Sequence, residues 1–203
     1  MVIPMINLAP ANEDEVVLAF LQAEIDSARF GSMYAAILAN SGFDRHSVID
    51  NPHRNSQRDN GIRGELLKLV RGYGSGQVLF TGFPPDVTWR HVSIEQKDFS
   101  KLRYAKCQPW IELSGGTRLV TDGAKNIAPG GPAEEAAVNI RAVVAELKRG
   151  KRFPELIGVE DQNGDIILME GHTRATAYVL SPPAEPIGCI LGNSPTMTSW
   201  AFY

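Results

Sequence analysis

Cysteine is scarce in this sequence: Cys107 and Cys189 are the only two among 203 residues, with no CxxC pair and no Cys/His array. That excludes a disulfide-stapled framework and a zinc ribbon, and a reduced, cytoplasmic setting is expected. Long apolar runs are missing as well. The longest fall far short of the ~20 residues that cross a bilayer, and charges break them, so no membrane partner is expected. Pro4 and Pro10 interrupt the opening stretch, which also lacks a charged start, and no secretory signal is read there. A surplus of basic charge is absent too: 20 Lys and Arg stand against 23 Asp and Glu, a formal charge of −3. Nucleic acid would have to be held by a local patch rather than by the whole surface. Finally, no GxSxG, HExxH, Walker A or strand-borne GxGxxG occurs, which speaks against serine hydrolases, zincins, P-loop NTPases and Rossmann dehydrogenases.

What is present is ordinary globular material. At 43% hydrophobic and 21% charged residues, the chain has enough apolar side chains for a core and too few charges for a disordered or coiled-coil class. Its length suits one domain, or one domain with an extension. Asn12 with Glu15 forms a capping pattern ahead of Val17, Phe20, Leu21 and Ala28, predicting a helix over 13–30. A second helix is expected from Ser32 to a Gly42 cap, and a third carries Ile62, Leu66, Leu67 and Val70, with a polar loop over 44–60 between them. Gly72-Tyr73-Gly74-Ser75-Gly76 follows a helix and reads as a flexible linker. After Gly82-Phe83-Pro84-Pro85 the pattern changes, and a module boundary is placed near residue 85, giving a 1–85 helical extension and an 86–203 domain.

In the second part, Trp89 to Ile94 alternates as a strand, Asp98 to Tyr104 suits a short helix, and Trp110 to Leu113 suits a strand. Pro129-Gly130-Gly131-Pro132 breaks the chain before a helix over 133–148. Leu156 to Glu160 and Asp165 to Met169 read as a hairpin joined through Asn163-Gly164, a type I′ signal. Its second strand runs into Gly171 and then Ala175, Thr176, Ala177 and Tyr178, which is a strand, a glycine turn and a helix start. A helix start offers unpaired N–H groups and a positive dipole end to phosphate. Gly171 allows close backbone approach, and Thr173 adds a hydroxyl beside it. His172 and Arg174 could shuttle a proton and clamp a phosphate. Glu170 could act as a base or hold a metal such as Mg²⁺.

Glu170-Gly171-His172-Thr173-Arg174, after a helix and a hairpin, resembles the GxxR box of the ParB/sulfiredoxin-like superfamily over about residues 89–191. The resemblance implies an α+β fold with a short mixed sheet and packed helices, and a nucleotide or phosphate site at Gly171, His172, Thr173 and Arg174. Sulfiredoxins carry cysteine where His172 stands, so sulfinic acid reduction is not implied. Only 23 residues follow Leu180, so the helix-turn-helix domain usual in chromosome-partitioning members is not expected. The free-serine kinases of that fold have an acidic-Gly-His-x-Arg box similar to this one. The bacterial-type function it implies is a nucleotide-dependent phosphotransferase. ATP, ADP or CTP would be the nucleotide, with Mg²⁺ and a small-molecule acceptor, and Glu170 and His172 would be catalytic. A DNA-associated factor or nuclease, and a non-catalytic interaction scaffold, are the alternatives.

Glu112 and Arg118, flanking Ser114 to Thr117, form a second candidate site, a carboxylate beside a backbone nest. The bland reading is a turn with solvated charges. Trp89 and Trp110 are expected in the core, and Asp122 as a cap. Between Asp44 and Arg71 six cations, Arg45, Arg54, Arg58, Arg63, Lys68 and Arg71, face four acids. This mild patch is the one place where DNA could be gripped. His46 and His53 lack metal-pair spacing, and His91 is read as a strand-surface residue.

Overall fold

The structure, a computed structural model, describes residues 6–127 and 134–203. The Pro129 to Pro132 breaker lies outside them. A strand the sequence did not announce opens the fold: β1 (Ile6–Ala11) pairs antiparallel with the later strand at Thr88–Ile94, with an irregularity between Asn7 and Ala9. Pro10 hides it from pattern reading, because proline has no N–H to give a ladder and survives only at edges such as this.

α1 (Glu13–Glu24) starts as expected. Asn12 accepts from the Glu15 N–H at 3.0 Å, and Glu15 Oε2 accepts from the Asn12 N–H at 2.8 Å. It ends earlier than its spacing suggests. Ser27 N–H bonds back to the Glu24 carbonyl, and Ser27 Oγ accepts from the Phe30 N–H, so the chain turns there. Gly31 allows the turn to close, since a Cβ at that position would sit 2.8 Å from the Ile25 carbonyl oxygen. α2 (Gly31–Ser41) ends at Gly42 in the left-handed conformation. The expected loop over 44–60 instead contains a π-helical turn at His46–Asp50, and α3 (Gln57–Arg71) begins inside it, capped by Ser56 Oγ.

The Gly82-Phe83-Pro84-Pro85 segment is not a slack tether. Phe83 packs edge-on against Phe80 and Trp200 and stacks on Trp89, while Trp200 Nε1 donates to the Leu79 carbonyl at 2.7 Å. β2 (Thr88–Ile94) follows as expected. Asp98 to Tyr104 then divides into a 3-10 turn, Gln96–Lys101, and the two-residue β3 (Leu102–Arg103).

Trp110 to Leu113 is helical, not extended: α4 (Gln108–Leu113) has Pro109 in its first turn, where a missing N–H costs nothing. α5 (Val120–Lys125) and α6 (Glu134–Lys148) lead to β4 (Leu156–Glu160) and β5 (Ile166–Glu170). The hairpin exists, but its turn is not type I′. Asp161 accepts from the N–H groups of Asn163 and Asp165, both at 2.8 Å, and only Gly164 takes positive φ. The Asp161 carboxylate thus selects a longer turn ending in a left-handed glycine. α7 (His172–Leu180) and β6 (Ile187–Asn193) complete the elements.

The six strands form one mixed sheet in the order β1-β2-β6-β4-β5-β3. Strand alternation sends Ile157, Val159, Ile167, Met169 and Ile190 into a core with α1 to α3 and Trp200. The intervening Leu156, Ile166, Leu168, Cys189 and Leu191 enter a second core with residues of α4 to α7, among them Leu113, Val120, Ile140 and Ala177. The molecule is therefore a mixed α/β protein. Residues before and after 85 share the sheet and the first core, with α1 to α3 forming a layer on one of its faces.

Candidate functional site

Gly171 turns the chain from β5 into α7 at φ +99°, a conformation glycine adopts without strain. No side chain caps this helix start. The N–H groups of its first turn have no protein acceptor among the described residues, which leaves them available to an anion.

Arg174 is 7% exposed, and both of its terminal nitrogens are bonded. It donates to the Glu170 carboxylate and to the Pro154 carbonyl, and at 3.2 Å to the Glu155 carbonyl. This guanidinium clasps the end of β5 to the segment entering β4, so Glu170 stands in an ion pair with it rather than as an open carboxylate. Thr173 is half-buried at the start of α7.

His172 lies within an aromatic cluster. Its ring is near-parallel to Trp110, at 5.1 Å and 16°, and to Tyr104, at 6.0 Å and 15°; Trp110 and Tyr104 stack at 4.9 Å. The Ala105 N–H donates to Nε2 at 3.2 Å, so the network assigns the ring proton to Nδ1. Burial of the ring, reinforced by the positive fields of Arg71, Arg174, Arg118 and Arg29, holds its pKa down to about 3. The imidazole is neutral at physiological pH.

The two secondary candidates part company. Arg118 is left-handed at φ +62° and donates to the carbonyls of Tyr104 and Tyr203 at 2.9 and 3.1 Å, and to Phe202 at 3.4 Å. It pins the last residues beside the aromatic cluster, and burial lowers its pKa. Glu112 is exposed and accepts from Gln108 at 2.7 Å; no contact joins it to Arg118 or to the box. Asp122 accepts from Thr117 and pairs with Lys125, a local turn role.

Sequence reasoning missed a second charged wall, which comes from the first helical layer and acts on the α7 start through its charge. Glu24, at the end of α1, is 5% exposed. It accepts from the Tyr34 hydroxyl at 3.0 Å and lies 3.4 Å from Arg71 Nε, at the end of α3. Burial is the largest influence and raises its pKa to about 7; Arg71 opposes this, and the nearby Glu170 charge adds to it. Arg71 and Arg29 both place their guanidiniums over the Phe30 ring, at 4.3 and 4.8 Å. No local motif marks these residues, because they are brought together by helix ends far apart in the chain. Among the described residues, no group of three or more His, Cys, Asp or Glu is arranged to hold a metal ion.

The patch over 44–71 is weaker than its composition suggests. Arg45 is committed to Asp26 and Asp50, and Arg63 is buried against the Val48 and His53 carbonyls and Asn60.

The fold and site thus define a mixed α/β protein with a cation-rich, partly buried cluster at a glycine-led helix start. No family model, no curated protein and no solved structure matches this chain. Among the described residues, no helix is long and apolar enough to cross a membrane.

Proposed function

We propose that this chain binds a nucleotide through its phosphates at the start of α7. A single observation carries the reading: the first-turn N–H groups of α7 are unspent, and the positive charges of Arg71, Arg174, Arg118 and Arg29 act on the side chain of His172 in that turn. Positive field and free donors together are what a phosphate group requires. Because Arg174 and Arg118 are bound to protein carbonyls, they supply charge and position; Arg71, which pairs with Glu24 but whose buried Nε has no hydrogen-bond partner, and the exposed Arg29 are the cations proposed to meet a ligand. The resemblance of Glu170 to Arg174 to the ParB/sulfiredoxin-like box agrees with this ligand.

Glu24 favours phosphoryl transfer as the chemistry. Its carboxyl is poised at about pKa 7, where a base is strong enough to accept a proton and still ionised in a large fraction of molecules. An acceptor hydroxyl would lose its proton to Glu24 as its oxygen bonds to the terminal phosphorus. The bond from that phosphorus to the departing nucleotide breaks, and Arg71 and the α7 N–H groups stabilise the charge. Mg²⁺, when bound with the nucleotide, would offset phosphate charge. Glu170 supports this as a neighbouring carboxylate. The DNA-binding alternative loses Arg45 and Arg63 to internal bonds.

The test is thermal shift with ATP, ADP, CTP and GTP, with and without Mg²⁺, on the native chain and Arg71→Gln. A ligand at 100 times its Kd adds ~2.7 kcal/mol, several degrees for this size. One nucleotide should stabilise the native chain and fail with Arg71→Gln. No shift with any nucleotide, or an equal shift in the variant, overturns the proposal.

A further inference from the structure

A second concave site lies between α1, β2, β6 and the segment before β4, a cavity of about 250 Å³ with Glu15, Arg54, His91 and Glu155 in its lining. From these residues we infer that it is a binding site for a compact zwitterion, an aliphatic molecule carrying one ammonium and one carboxylate. The inference does not depend on the nucleotide reading.

The lining carries charges of both signs. His91 Nδ1 lies 3.1 Å from Glu155 Oε1, and its Nε2 lies 3.8 Å from Glu15 Oε1. The imidazole thus stands between two carboxylates and holds both at the cavity. Glu155 cannot wander: its backbone carbonyl is bonded by Arg174, and its side chain lies along Gly188, where a Cβ would sit 2.8 Å from Glu155 Cγ. Glu15 is fixed in turn by the Asn12 N–H through its other oxygen. Two positioned carboxylates offer acceptors to an ammonium group, and only one ring nitrogen of His91 is committed at hydrogen-bond distance.

Arg54, in the same lining, brings a guanidinium that makes no hydrogen bond or ion pair with any described residue. A free arginine fork beside a cavity fits a carboxylate bidentately. The same lining includes the apolar Leu18, Ala19 and Ile190 beside the polar Gln22. Charges of both signs with hydrocarbon in one small cavity match a molecule with an ammonium, a carboxylate and a short aliphatic body. The volume sets the size, since it lies below the ~300–1,000 Å³ of sites for drug-sized ligands. A ligand of one charge only would leave either Arg54 or the carboxylate pair unmatched.

Three probes of one shape separate these requirements: L-leucine, isoamylamine, which lacks the carboxylate, and 4-methylpentanoate, which lacks the amine. Each is titrated into the ¹⁵N-labelled full chain while amide shifts of α1, β2 and β6 are followed. Leucine should shift these residues saturably, and each single-charge analogue should bind about tenfold more weakly or worse, the loss of one charge-assisted contact. Arg54→Ala and Glu155→Gln should each weaken leucine by a similar factor. Arg54 is exposed, and glutamine keeps the shape of Glu155, so melting temperature should hold and serves as the folding control. No saturable shift with leucine, isoamylamine binding as tightly as leucine, or leucine binding that survives both substitutions overturns the inference. Because no nucleotide is present in these titrations, failure here leaves the reading of α7 untouched, and failure there leaves this site untouched.

Discussion

The two walls of the α7 cluster differ in kind. The wall marked in the sequence, Glu170 to Arg174, is tied into the fold: Arg174 spends its donors on Glu170 and two carbonyls, and His172 is stacked and accepts from the backbone. The unmarked wall, from α1 to α3, contains the poised carboxyl of Glu24 and the guanidiniums of Arg71 and Arg29. On the proposed reading, a motif locates a site while most of its own side chains build the frame, and the reacting groups arrive from elsewhere.

The sharpest way to break this comparison is to remove one arginine from each wall. Arg174→Ala strands the Glu170 carboxylate, which is 16% exposed, and such a loss costs about 3–5 kcal/mol. A fall in melting temperature of ~10 °C is expected. Arg71→Gln should cost much less, because Glu24, already near pKa 7, can take up a proton when its partner leaves. Scanning calorimetry of the two variants checks the ordering, and a larger loss for Arg71→Gln would reverse the assignment of frame and reacting wall.

Gly171 comes next. Its φ of +99° disfavours any side chain, and a Cβ there would collide with Leu156 Cδ2. Gly171→Ala should cost about 1–3 kcal/mol, read from urea midpoints, and should displace the first turn of α7. Full retention of stability would mean that the turn into α7 is not constrained as described.

Why the frame was legible and the rest was not follows from the physics of each signal. The Asn12–Glu15 cap, the Gly42 stop, β2, the β4–β5 hairpin and the start of α7 depend on neighbours within a few residues, and local chemistry decides them. The apolar run of Trp110 to Leu113 suggests a strand, but Pro109 one residue earlier favours a first helical turn. Asn163-Gly164 suggested a type I′ turn, and the Asp161 carboxylate outbid it with two backbone bonds. β1 owes its strand state wholly to β2, which lies some 80 residues on. Glu24, Tyr34 and Arg71 meet only because three helices end at one place, and no spacing rule reports that.

The two walls should also titrate in opposite senses. His172, lowered from 6.5 to about 3, leaves the native state with fewer bound protons than the unfolded chain between those values, so its contribution falls on acidification through that window. Glu24, raised from 4.5 to about 7, leaves the native state with more protons across 4.5 to 7, so its contribution falls as pH rises there. From about pH 4.5 to 6.5 the two slopes oppose each other, and below 4.5 only that of His172 remains. Glu24→Gln should expose the His172 slope, with melting temperature rising steadily with pH across 4.5 to 6.5 where the native chain is flatter. Identical pH profiles for the two proteins would remove Glu24 from the buried titrating groups.

The smallest expected effect belongs to a bond that serves the frame alone. Tyr104 is fully buried, its hydroxyl lies 2.6 Å from Thr176 Oγ1, and Thr176 donates in turn to the His172 carbonyl at 2.8 Å. Thr176 has one proton and gives it to that carbonyl, so Tyr104 is the donor in the first bond. Tyr104→Phe removes this donor and leaves Thr176 one acceptor site unfilled, a loss of ~1 kcal/mol and a few degrees of melting temperature. The ring that lies against Trp110 and His172 is retained, as are the α7 N–H groups and all four arginines. The nucleotide-induced thermal shift should therefore match that of the native chain, measured from the variant's own lower baseline. A lost shift would place the Tyr104 hydroxyl in contact with the ligand and move part of the reacting chemistry back to the wall that the sequence had marked.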